Sequence, residues 1–275
     1  MKDEVAIRLG FFIAIFATMI IWELLAPRRT LTTSNSVRWF ANLAIISLNA
    51  DVVRLLFPLL PVGFALLAQM KGWGLLNSFS TPYWLKVLAG VMVLDLVIYL
   101  QHVMFHAVPV LWRLHMMHHA DLDFDVTTGL RFHPIEIILS GCIKLAAVAV
   151  FGTPAIAVLI FQILLNGTSM FNHGNIRLPI NIDRLLRLLI VSPEMHRVHH
   201  SVVIKETNSN FGFSFPWWDR LLGNYREQPA AGHQGMTVGL SQFRDPDRLT
   251  LPWMLVLPFV GDPGKYPINR GGGRG

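Results

Sequence analysis

The sequence predicts an all-α, polytopic membrane protein of about four transmembrane helices. Its second hydrophobic block is open to a break, and a histidine-rich helical cap is expected on the cytoplasmic side. Three observations predict this. Hydrophobic residues make up 53% of the 275 positions and charged residues only 15%; with a mean hydropathy of +0.47, that composition suits a bilayer. Apolar runs recur at the length a spanning helix needs, about 20 residues at about 1.5 Å each for a ~30 Å core. Histidines gather at the ends of those runs in three boxes.

Residues 6–25 form the first apolar run. Its length, the lack of a small-residue cleavage site and the following Pro27-Arg28-Arg29 mark a retained span rather than a signal peptide. Arg28, Arg29 and Arg38 place the next loop in the cytoplasm. Residues 40–70 are apolar but hold Asp51, Arg54, Pro58 and Pro61, so the block is expected to be irregular, with Asp51 and Arg54 paired at i, i+3. Residues 71–82, marked by Gly72, Gly74 and Pro82, read as an extracytoplasmic loop. The next span starts at Tyr83-Trp84 and ends at Pro109, which sets His102 and His106 at its cytoplasmic mouth. Residues 135–171, with a turn at Gly152-Thr153-Pro154, are long enough for two spans. LLRLLIVS is amphipathic and too short to span, so it is expected on the membrane surface. Ser192-Pro193-Glu194 reads as a helix start. LPWMLVLPFVG is about half a span and reads as interfacial, and the terminal RGGGRG is expected to be disordered.

The boxes carry the chemistry. His102 and His106 form an HxxxH; His115, His118 and His119, then His196, His199 and His200, form two HxxHH boxes. Spacings of three and four return to one helix face, so each box aims its imidazoles at one point. A lone histidine is normally a packed or capped residue, whereas eight of the 11 histidines fall in these boxes. Eight imidazoles are too many for one ion and suit two ions close together. His173, in FNHGN, lies level with the boxes and is a ninth candidate ligand, and Asn175 beside it is a candidate for holding a metal-bound water. His133 precedes Pro134 and Glu136, which read as a helix first turn; it is either a ligand or a hydrogen-bonding support. Asp95 and Tyr99 share a helix face with His102 and His106, and Asp95 is placed to accept an imidazole N–H. The plain alternative is that both line a helix contact. Asp121, Asp123 and Asp125 follow the second box and read as orienting ligands and offsetting cationic charge, although loop acids alone are simply solvated. NSNFGFSFPWWDRLLGNYR reads as a loop closing over the site, its aromatics serving packing or substrate contact.

The single cysteine, Cys142, excludes an intramolecular disulfide and a Cys-rich zinc or iron–sulfur site, and reads as inert packing. The net charge of +6 reads as basic loops against anionic lipid, not as nucleic-acid binding. Imidazole suits iron, zinc and copper alike, so the ligands do not choose the metal. A site where helices leave the bilayer meets an acyl chain or ring system from the lipid, and attack on an inert C–H bond needs a redox metal and O2. The chain has no CxxCH, GxGxxG or P-loop, so electrons are expected from a redox partner protein or a diffusible reductant. Two other classes fit the boxes. One is a di-zinc membrane hydrolase with Glu194 or Glu136 as base. The other is a non-catalytic, proton-coupled transporter with a histidine relay.

The HxxxH–HxxHH–HxxHH series, carried by DLVIYLQHVMFH, HMMHHADLDFDVTTGLRFHPIE, FNHGNIRLP, MHRVHHS and NFGFSFPWWDRLLG, resembles the fatty acid hydroxylase superfamily in its bacterial sterol-desaturase-like branch. The resemblance implies a catalytic domain over residues 85–225, between an N-terminal transmembrane region (1–84) and a C-terminal interfacial segment and tail (226–275). It implies a di-iron, O2-dependent hydroxylase or desaturase of the inner membrane, acting on a sterol, fatty acyl, carotenoid or alkylglycerol lipid, with the eight box histidines as iron ligands. Some members carry a further HxxxH pair. Here Arg177 stands four residues after His173, so that pair is incomplete and His133 is the substitute for a tenth ligand.

Overall fold

The first apolar run folds as one helix, α1 (Glu4–Leu25), in a computed structural model that describes residues 3–33 and 35–269. The second block breaks where proline chemistry says it should. α2 (Asn35–Leu56) stops before Pro58, and α3 (Pro61–Met70) starts with Pro61 in its first turn, where a missing N–H costs nothing. Asp51 and Arg54 do not pair as expected: both are exposed, about one turn apart on α2, and no ion pair joins them. After the 71–82 loop comes α4 (Tyr83–Ala107), the longest helix. Val108 is held extended ahead of Pro109, as a residue before proline must be, and this redirects the chain into α5 (Pro109–His119).

α6 (Pro134–Phe151) and α7 (Ala155–Asn172) form the expected hairpin. Gly152 closes α6 in the left-handed conformation, φ 63°. A side chain at Gly74 (φ 90°) would put its Cβ 2.0 Å from the Gly152 nitrogen, so the two loops meet backbone to backbone. Cys142 is exposed on α6 among apolar residues, so it is not packing.

Beyond α7 the elements are short: α8 (Ile180–Leu186), α9 (Pro193–His199), α10 (Ile204–Thr207), α11 (Trp217–Leu221), α12 (Gly232–Gly235) and α13 (Leu251–Val260). LLRLLIVS is helical only at its start, since α8 ends at Leu186 and Arg187 turns back to pair with Asp183 at 2.7 Å. Its Leu185, Leu188 and Leu189 are exposed. Ser192 caps α9 as expected, its hydroxyl accepting from the Met195 N–H. The glycine-rich terminus expected to be disordered lies outside the described residues.

Among the described residues, five stretches are long and apolar enough to cross a membrane: α1, the broken α2–α3 block, α4, α6 and α7. Four are continuous helices, in line with the sequence. Their outward faces expose Leu9, Ile21, Leu24, Leu55, Trp84 and Val150, the surface a multi-pass protein turns to lipid. Inside, Val62, Leu94, Ile98, Val158 and Phe161 join α3, α4 and α7. Ala41, Ile45, Trp112, Met116, Met254 and Leu257 join α2, α5 and α13. The half-span α13 thus packs under the histidine-bearing α5 and anchors it through Arg113, which donates to the Pro258 and Gly261 carbonyls.

Candidate metal centre

Four helix ends converge on one place. α4 brings His102 and His106 on its last two turns, α5 brings His115, His118 and His119, the end of α7 brings His173, and α9 brings His196, His199 and His200. All nine are buried. They sit together at one end of the bundle rather than strung along a pore. An antiparallel pairing helps to fix the α7 end: Arg28 donates from its backbone to Asn175, and Arg177 to Ala26.

The imidazoles sort into two groups. His102, His106, His115, His119 and His199 form one, and His118, His173, His196 and His200 the other, with ligand atoms within 4.8 Å of one another in each. The groups abut, the His119 and His200 rings stacking at 4.5 Å. One expectation is corrected here. A box does not aim at one point, because each HxxHH box straddles both groups. Adjacent helical residues point ~100° apart, so His118 faces away from His119, and His199 away from His200.

The nitrogen geometry tests whether metals fit. His102, His173 and His199 turn Nδ1 to the carbonyls of Phe211 (2.7 Å), Ser169 (2.7 Å) and Ser209 (2.8 Å). A carbonyl only accepts, so each Nδ1 carries the proton and each Nε2 is a bare lone pair. Yet Nε2 of His102 lies 3.0 Å from Nε2 of His199, and 3.1 Å from that of His115. Nε2 of His173 lies 3.2 Å from those of both His118 and His196. His102, His115 and His199 each keep the proton on Nδ1, so their Nε2 lone pairs, that close, repel unless they share a cation. Two nitrogens at right angles on one ion, each ~2.1 Å away, stand ~3.0 Å apart. Both nitrogens of His119 and His200, and Nε2 of His106, are buried with no hydrogen-bond partner, which suits ligands awaiting an ion. The donor set fits two ions of borderline softness, held by neutral imidazoles.

The groups behind the ligands differ from expectation. Glu136 accepts from His115 Nδ1 at 2.7 Å, and Asn208 from His106 Nδ1 at 3.1 Å. Asp95 touches no imidazole; its carboxylate accepts from the Trp218 indole at 2.8 Å. Tyr99 bonds Asn224 at 2.9 Å. Asp95 thus makes a helix contact, to α11, and Tyr99 a contact to the loop that follows it. Asn175 faces away from the histidines, exchanging hydrogen bonds with the Arg29 backbone and with Glu23. His133 lies in neither group. It caps α6, its Nδ1 accepting from Ile135, while Nε2 meets the Leu255 carbonyl at 3.2 Å. The loop acids are structural: Asp121 and Asp125 pair with the fully buried Arg38, and Asp123 accepts from Thr32 and Thr33.

Sequence reasoning missed several contributors. Three of the acceptors are backbone carbonyls, which have no residue signature, and Asn208 is one polar residue among several in its loop. Phe132 stacks on His118 at 4.5 Å, and Phe124 on His173 at 5.4 Å. Phe211 and Phe213, from the aromatic loop, lie against His102 at 5.6 and 4.8 Å. Asp219 ties that loop down by accepting from the Phe211 and Gly212 N–H groups. Burial, and then the neighbouring imidazoles, hold His118, His119, His196, His199 and His200 well below the usual 6.5. His173 is lowered to about 3, first by burial. Burial thus favours the neutral form of these six imidazoles, the form that metal ligation requires.

Residues 87–224, half of the chain, match the fatty acid hydroxylase family. Among curated relatives, ornithine lipid hydroxylase OlsE of Rhizobium tropici is 24% identical over 79% of this chain and 64% of its own length. Human alkylglycerol monooxygenase is 26% identical over 73% of this chain and 44% of its own. Methylsterol monooxygenase 2-2 of Arabidopsis thaliana is 23% identical over 60% and 62%. The chain thus spans less than two thirds of the length of each of these relatives. No solved structure matches significantly. With its histidines gathered at the ends of apolar helices and that match around them, the chain belongs to the fatty acid hydroxylase family.

Proposed function

We propose that the protein is a membrane-bound, di-iron oxidoreductase that hydroxylates or desaturates a lipid, using O2 and electrons from an external donor. The observation that carries this is a cavity of about 330 Å³ that reaches from between the apolar helices to the first histidine group. Ile46 and Val53 of α2, Ile98 and Phe105 of α4, and Leu165 of α7 wall it, and His102, His115 and Glu136 form one end. An apolar chain entering from the bilayer would lie along those walls and meet the imidazoles end-on.

The five-histidine group would hold one iron and the four-histidine group the other. When bound, the pair would supply the one-electron chemistry that turns O2 against a C–H bond. The chain's own part is positional. Glu136 holds the His115 proton at Nδ1 and so keeps Nε2 free to ligate. Phe132, Phe211 and Phe213 cover the imidazoles and exclude water, which protects a reactive site from side reactions. The activities for which these relatives are named, hydroxylation of ornithine lipid and monooxygenation of alkylglycerols and methylsterols, support a lipid substrate. The cytoplasm is the proposed side of the site, since the α1–α2 connection is basic.

The test is metal analysis of the purified protein, with O2 uptake and lipid product analysis after iron loading. Two irons per chain and an oxidised lipid support the proposal. Zinc in both positions after anaerobic iron loading, with ester or amide cleavage, would replace it with the hydrolase.

A further inference from the structure

The end of the cavity away from the histidines is cationic. Glu136, Ser140 and Lys144 recur every four residues on α6, so they share one face, and all three line the cavity. Eight residues of helix separate Glu136 from Lys144, about 12 Å. Arg8 of α1 lines the same end. Among the described residues no carboxylate lies within ion-pair distance of Lys144, and Arg8 has only Glu4, at 3.3 Å. Two half-buried cations therefore line the cavity, and only Arg8 has a paired carboxylate, Glu4. Charges at membrane depth are costly and are retained where they pair with a partner or a substrate. Polar side chains continue the ring, with Asn49, Gln101 and Asn166 also in the wall. The buried oxygens of Asn49 and Gln101 have no hydrogen-bond partner.

We propose that this cavity takes a single-chain amphiphile whose anionic end group, a carboxylate or a phosphate, sits between Lys144 and Arg8. Its chain runs along the α6 face past Ser140 to His102 and His115. The spacing from Lys144 to Glu136 then fixes where oxidation falls: in the chain's interior, well removed from the anionic group. This deepens the lipid-oxidising reading and rests on it only for the reacting end, because the anion site is a property of the cavity alone.

Binding tests it without catalysis. Purified full-length protein in zwitterionic nanodiscs, with no metal or O2 supplied, would be loaded with fluorescent cis-parinarate. Hexadecanoate, hexadecyl phosphate and hexadecanol would then compete for it. Wild type should release the probe to one or both anions at about tenfold or more lower concentration than to the alcohol, a gap of ~1.4 kcal/mol or more. The better anion identifies the source, a free fatty acid or a phosphate-ended lipid. Lys144→Met with Arg8→Met should erase the gap and leave the alcohol's affinity unchanged, whereas Lys144→Arg should keep it. If the double variant does not insert, Lys144→Gln against Lys144→Arg makes the same comparison. Equal competition by all three amphiphiles in wild type, or a gap that survives neutralisation, overturns the proposal. An enzyme with no metal and no oxidised product would sink the catalytic reading and leave this gap intact.

Discussion

His115 donates from Nδ1 to Oε1 of Glu136 at 2.7 Å, and Glu136 also lines the cavity. One carboxylate thereby sets the tautomer of a candidate ligand and forms part of the wall beside it. Glu136→Ala is expected to weaken metal retention by roughly 10- to 100-fold, the range for groups that orient a ligand. Glu136→Gln, whose amide oxygen still accepts the N–H, should lose less. Chelator titration followed by metal analysis checks this, and equal retention by all three proteins would contradict it.

The two histidine groups predict separable losses. His173→Ala removes a member of the four-histidine group, and His106→Ala one of the five-histidine group. Each should reduce bound metal toward one ion per chain. His133→Ala should keep full metal content and instead destabilise α6 by about 1 kcal/mol, as the loss of a cap does. Metal-to-protein ratios and detergent melting curves read both outcomes. A metal deficit in the His133 variant would make it a ligand after all.

Arg38 is fully buried between Asp121 and Asp125. Arg38→Met leaves two buried carboxylates without their cation, and breaking such a pair costs roughly 3–5 kcal/mol. Arg38→Lys should rescue little, since one ammonium cannot match the planar fork. Thermal unfolding is the measurement, and a shift of less than a degree or two would show the clasp to be dispensable.

The metal-free protein should be acid-labile. In the unfolded chain the histidines take up protons near ~6.5, whereas burial lowers His173 to about 3 in the fold. A depressed folded pKa gives stability that is complete above ~6.5 and falls as the pH drops from there towards the folded value. The melting temperature should therefore decline steadily from about pH 7 to about pH 5. A flat profile in that window would mean that the imidazoles protonate without unfolding the cluster.

The spans were legible because bilayer thickness dictates run length, and the α2–α3 break because Pro58 and Pro61 have no N–H to give. The gathering of the boxes into one buried cluster was legible because eight imidazoles at helical spacing have few uses apart from one another. Their division between two groups was not, since it depends on how α5 and α9 are rotated against α4 and α7. The loop acids were misread for a related reason. Asp121 looks solvated among its neighbours, and its partner Arg38 lies 83 residues away. Asp95 shares a face with His102, but the Phe211 carbonyl, contributed by a distant loop, accepts the His102 N–H instead.

The clasps around the histidine cluster decide how much of the chain must fold together. Asp121 and Asp125 depend on Arg38, Asp123 on Thr32 and Thr33, and Glu194, beyond its neighbour Arg197, on Arg28 and His233. Apart from Arg197, every one of these donors lies outside the 87–224 stretch that matches the family. Excised, that stretch would keep its buried acids and lose these outside partners. The matched middle is therefore expected to depend on both flanks, and a shortened version built from it should misfold before its imidazoles ever meet.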